Sequence, residues 1–103
     1  MTTKIKIGAA AENFIKTLPP EPRRALRRGI KGLEKNAGDI KQLEGELSEY
    51  CRLRVGRMPV IFSVAIIRGE RLILCHYVNF RPVVYQLFGH LLASGLLEQM
   101  KES

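Results

Sequence analysis

The chain has no run of about 18 uninterrupted apolar residues, the shortest stretch that crosses a bilayer as a helix. Its first residues, MTTKIKIG, lack the apolar core of a secretory leader. Neither membrane insertion nor export is expected, and a cytoplasmic location follows. Cysteine and histidine are scarce as well. Cys51 and Cys75 have no CxxC spacing and no histidine cluster beside them, so no metal site, no disulfide framework and no cofactor is indicated, and two buried free thiols are expected. His76 and His90 stand alone, one in an expected strand and one in an expected helix, where ordinary packing or surface positions are the default. Acidic residues are the other shortage, 10 against 17 basic ones, which leaves a net charge of +7. That excess favours a polyanion, nucleic acid first, or an acidic protein, and carries no information about the fold.

What is present fits one domain over residues 1–103: a 46% hydrophobic composition with 26% charge is enough for a modest core. TKIKI at residues 3–7 alternates like a half-buried strand. From Ala9 to about Leu18, Ala11, Phe14, Ile15 and Leu18 recur at helical spacing, and Pro19 with Pro20 ends the run. A second helix is expected from about Pro22, with Leu26, Ile30 and Leu33 on one stripe. Its other side gathers Arg23, Arg24, Arg27, Arg28, Lys31 and Lys35, with Glu34 as the one partner at i,i+3 or i,i+4 spacing. That face is either a solvated exterior or a surface for phosphates.

NAGD at 36–39 stops the helix, and the acidic stretch 36–49 is expected to be a loop. Three strands then follow at about 49–55, 59–67 and 71–79, with turns at Val55–Met58 and around Gly69. Pro59 belongs at the start of its strand, since it has no N–H to give a ladder. Pro82 opens a last helix with Val84, Leu87, Phe88, Leu91 and Leu92 on its apolar arc. Leu96, Leu97 and Met100 drift off that arc and are either a partner site or a frayed end. The order β-α-α-β-β-β-α describes an α+β unit, a small antiparallel sheet packed against helices.

The stretch YCRLRVGRMPVIF, residues 50–62, places Arg52 and Arg54 on one face of a strand and Cys51, Leu53 and Val55 on the other. One sheet face is therefore cationic, either for solubility or as a floor for a phosphate backbone.

The run GDIKQLEGELSEYCRLRVGRMPVIFSV, followed by VNFRPVVYQLF, resembles the RelE/ParE superfamily of type II toxins. The pattern of that superfamily runs G-D-x-K-x-L, then R-x-R-V-G-x-Y-R-V-I-F, then a strand ending before R-x-x-V-Y. The likeness spans Gly38 to Phe88, and the expected element order agrees with the family. It implies a toxin held by a cognate acidic antitoxin. RelE-type members bind the ribosome and cut mRNA there, ParE-type members poison DNA gyrase, and the fold alone does not choose between them. In the RelE reaction the ribose 2′-hydroxyl attacks the adjacent phosphate while cationic side chains stabilise the charge that builds up. The resemblance puts Arg52 and Arg54 at the family's basic positions and Tyr85 at its tyrosine. Met58 and Pro59 replace the family's Tyr-Arg pair, and Asn79 stands where RelE proper has an arginine. Arg57 and Arg81 are the expected substitutes. The implied function is a metal-independent, ribosome-dependent mRNA endoribonuclease that inhibits translation. The alternatives are a gyrase inhibitor and a degraded toxin that only binds its antitoxin.

Overall fold

A computed structural model of the chain describes residues 2–80. The expected last helix lies outside them, with Arg81, Tyr85, His90, Leu96, Leu97 and Met100. Strand β1 (Thr3–Ile7) leads into helices α1 (Ala9–Lys16) and α2 (Pro20–Lys31). Four strands follow, β2 (Asp39–Gln42), β3 (Cys51–Val55), β4 (Met58–Ile67) and β5 (Glu70–Val78). They form one sheet in the order β1-β5-β4-β3-β2. The α+β class is as the sequence indicated. Among the described residues, no helix is long and apolar enough to cross a membrane.

The sheet departs from expectation in two ways. The stretch 36–49 is not all loop, because residues 39–42 pair antiparallel with β3, from Asp39 opposite Arg54 to Gln42 opposite Cys51. With Ile40 as its one apolar residue, DIKQ is too short and too polar to show a period, and its conformation is imposed by the neighbouring strand. The sheet is also mixed, since β1 lies parallel to β5 with Thr3 opposite Arg71 and Ile7 opposite Cys75. A parallel pair needs a long crossover, which α1, α2 and the three intervening strands supply.

Helix α2 begins at Pro20, two residues before the expected start, and tightens into a 3-10 turn over Gly32–Lys35 that ends at left-handed Asn36 (φ 53°). Arg71 of β5 closes this end. Its Nη2 donates to the carbonyls of Leu33 (2.8 Å) and Glu34 (3.3 Å), and its Nη1 to Asn36 Oδ1 (2.9 Å). Helix ends leave carbonyls without intrahelical donors, and the planar guanidinium meets several at once. Arg71→Ala is expected to cost about 2 kcal/mol, a drop in urea midpoint, and Arg71→Lys to recover little of it.

Both helices pack on one sheet face. Ala11, Ile15 and Leu18 meet Leu26, Ile30 and Leu33 over Leu53, Met58, Val60, Phe62, Ile73, Cys75 and Val78. Two glycines permit this fit. A Cβ at Gly29 would lie 2.7 Å from Val55 Cγ2, so α2 approaches β3 closely there, and a Cβ at Gly38 would lie 2.7 Å from Leu53 Cδ1.

Both cysteines are free thiols, as expected, though Cys51 is only half-buried. Burial pushes both thiols up, Cys75 to about 12. A thiol-specific reagent at pH 8 is expected to label Cys51 at least about tenfold faster than Cys75, the latter reacting only when the chain opens. Mass spectrometry of a labelling time course reads both rates.

Candidate nucleic-acid interface

The face of the sheet opposite the helices holds the two arginines of β3. In the register, Arg52 stands beside Ile61 and Arg54 beside Pro59, so all four side chains share that face. The two arginines differ in standing, which alternation alone does not show. Arg52 is buried, 7% exposed, whereas Arg54 is exposed. The cationic face thus holds one buried and one open guanidinium.

Asp39 lies between them. Its Oδ1 is 3.6 Å from Arg52 Nη2 and its Oδ2 is 3.9 Å from Arg54 Nε. These are ion pairs at a separation beyond hydrogen bonding. One carboxylate facing two guanidinia leaves net positive charge on the face, and Arg52 Nη1 is buried without a hydrogen-bond partner among the described residues. From sequence Asp39 falls in an expected loop, and only the pairing of β2 with β3 brings it here.

The β3–β4 turn places the next arginine. Gly56 takes a left-handed φ of 61°, and Arg57 stands exposed after it. Arg54, Gly56, Arg57 and Pro59 line an open cleft of about 260 Å³. Pro59, which stands where the RelE/ParE pattern has arginine, thus falls in the wall of this cleft, opposite Arg54 in the strand register. Arg57 lines the same cleft, so two cations converge on a space wide enough for a phosphodiester.

Further along the same face is a buried polar pair. Ser63 Oγ lies 2.7 Å from His76 Nε2, and the Tyr50 ring stands edge-on to the imidazole at 5.2 Å. His76 is 1% exposed. It sits at a bulge: Ile61 pairs with Tyr77 but Phe62 with Cys75, so His76 is the extra residue of β5 and is turned onto this face. The bulge has no signal in the sequence, and His76 is an interior packing residue, one of the two default positions for a lone histidine.

The second basic surface is α2. Arg24, Arg27, Arg28, Lys31 and Lys35 are exposed, and Arg23 is half-buried. Glu34 is not the sole relief for this charge. Glu12 of α1 accepts a 2.6 Å hydrogen bond from Arg27 Nη2, and that bond first, aided by the opposite charge, holds the Glu12 carboxyl below the usual range. Arg27 is thereby a clasp between the helices. Arg24 and Arg28 instead share an open groove of about 450 Å³ with Glu21, Pro22 and Ala25. Because Gly29 packs against Val55, α2 lies over the end of β3 that leads to Gly56 and Arg57. Arg81 and Tyr85 lie outside the described residues. Among those described, no group of three or more His, Cys, Asp or Glu is placed to hold a metal ion.

No family model matches the chain, and no curated protein matches it. Solved structures do. The chain is similar to the archaeal RelE–RelB complex from Pyrococcus horikoshii OT3, at 26% identity and a TM-score of 0.60 over 80% of this chain and 98% of that one. It is similar to the toxin–antitoxin complex RelBE2 from Mycobacterium tuberculosis, at 20% identity and a TM-score of 0.64 over 79% and 100%. A YoeB/ParE toxin from Agrobacterium tumefaciens shares 12% identity with a TM-score of 0.62 over 79% and 99%.

Proposed function

We propose that this chain, which has the fold of the RelE-like toxins, is the toxin of a type II toxin–antitoxin pair and cleaves mRNA on the ribosome. The observation that carries the reading is the cleft at the β3–β4 turn, where Arg54 and Arg57 converge beside the buried charge of Arg52. In the reaction the 2′-hydroxyl of the substrate attacks the adjacent phosphorus, the P–O5′ bond breaks, and a 2′,3′-cyclic phosphate and a free 5′-hydroxyl result. The nucleophile belongs to the RNA, so the protein has charge to stabilise and protons to move, and the step needs no metal.

Arg54 and Arg57 supply fixed positive charge at the phosphoryl oxygens, where negative charge grows in the transition state. Arg52, held by Asp39 and by burial, adds field from behind. In this scheme Arg81 is assigned to the same phosphate and Tyr85 to the base or to the proton in transfer. Arg24, Arg28, Lys31 and Lys35 carry the binding to ribosomal RNA phosphates, with Arg23 and the Glu12-bound Arg27 contributing less. A net charge of +7 suits an acidic antitoxin as the partner that neutralises the toxin, in keeping with the RelB-bound state of similar proteins.

The test is induction of the chain without antitoxin in a bacterial host, with primer-extension mapping of translated and untranslated transcripts. Cuts confined to translated mRNA are the expected result. Growth arrest with intact mRNA would move the target to DNA gyrase or another target, and normal growth would mean a toxin that has lost its chemistry.

A further inference from the structure

Strand β4 is ten residues long, but β3 pairs only with its first half, the last pair being Phe62 with Cys51. From Ser63 to Ile67 it is bonded to β5 on one side, while its other edge has no strand beside it among the described residues. The sheet thus has a step whose wall is Ser63-Val64-Ala65-Ile66-Ile67. Exposed edges are normally guarded by a lysine, a proline or a bulge. This wall has no charge and no proline, and the bulge lies before it, at Ile61/Phe62. Val64, Ile66 and Ile67 are 47%, 57% and 53% exposed.

The two ends of the wall carry opposite charge. At its tip, Arg68 and Gly69 both take left-handed φ values, 52° and 77°, in a tight hairpin turn that holds exposed Arg68 outward. At its foot, the chain enters β3 through residues 44–49, which include the exposed Glu44, Glu46 and Glu49. A bond from Tyr50 N to Leu47 O folds this segment back at the point where β3 would otherwise continue along β4.

We infer that a second copy of this chain fills the step, the two β4 edges pairing antiparallel about a two-fold axis at Ala65. Val64 of each copy then faces Ile66 of the other, and the basic tip of each wall arrives at the acidic foot of its partner. The contact is self-complementary, so both edges are satisfied at once and the assembly closes at two. A strand from an acidic protein is the competing occupant. It would bring its charge to an uncharged wall and an acidic foot, whereas a reversed copy matches both ends. The short wall and the repulsion between two chains of +7 make this a weak, concentration-dependent dimer. The inference does not depend on the reaction proposed above.

Sedimentation equilibrium of the full chain from about 10 to about 500 μM tests it. A monomer–dimer equilibrium is expected, with amide exchange at residues 64–67 slowing as concentration rises. Ala65→Lys sets two lysines face to face on the axis and is expected to weaken the dimer at least about tenfold with an unchanged circular dichroism spectrum. Asn13→Lys, which adds the same charge at an exposed site on α1, beside the Phe14 that meets Phe80 edge-on beyond the far end of β5, is expected to leave it intact. A single species of monomer mass throughout would leave the edge to another protein's strand and overturn the inference. So would a dimer that Ala65→Lys does not weaken.

Discussion

Replacing Arg54 and Arg57 together by alanine is expected to slow transcript cleavage by a factor of about 10² to 10³ while the protein stays folded. Both side chains are exposed, and neither belongs to the helix-covered core. In the proposed reaction their removal takes away two donors at the oxygens where charge accumulates, and the cation left among the described residues of the site, Arg52, is buried and partly neutralised by Asp39. Removal of one such donor costs about 3 kcal/mol in other enzymes, and paired losses are not additive. Primer extension at matched expression gives the rate, and a thermal melt checks the fold. Equal cutting by the double variant would place the chemistry elsewhere on the chain. Arg54→Lys is expected to restore only part of the rate, because an ammonium cannot present the two parallel N–H groups of a guanidinium. Arg52→Ala is a poorer probe: its side chain is buried beside Ile61, so lost cleavage would be mixed with lost packing.

Gly38→Val is expected to lower the stability of the chain by about 2–5 kcal/mol, a large part of what a domain of this size has. Gly38 has φ 113°, in a region that a β-branched residue does not tolerate, and a Cβ there would come within 2.7 Å of Leu53 Cδ1. Leu53 is 1% exposed in the middle of the core and has no room to withdraw. The strain and the clash therefore act together. Since Gly38 immediately precedes Asp39, a displaced β2 would also carry the carboxylate away from Arg52 and Arg54. Urea unfolding followed by circular dichroism measures the effect. Gly29→Ala makes the useful comparison. Its Cβ would meet a Val55 methyl at the same 2.7 Å but with an ordinary helical backbone, so a smaller loss is expected. Equal losses for the two variants would mean that the left-handed backbone contributes nothing.

The sequence by itself determined the elements with a strong period and clear stops. Ile5 and Ile7 alternating with lysines, the helical stripe of Leu26, Ile30 and Leu33, and the turns at Gly56 and Gly69 each encode local structure through spacing and backbone freedom. It also determined that Arg52 and Arg54 share a face and that α2 is basic, because side-chain direction in a strand or helix follows from residue number. Only the tertiary structure decided what those charges meet. That Asp39 sits between two arginines, that Glu12 holds Arg27, that Arg71 closes the end of α2 and that His76 is turned inward all depend on pairings between residues 13 to 38 positions apart. Such contacts leave no local trace, because each partner alone reads as an ordinary surface charge or an ordinary strand residue. The unmatched half of β4 is of the same kind: its composition is plain in the sequence, but that it forms an open edge follows from where β3 begins.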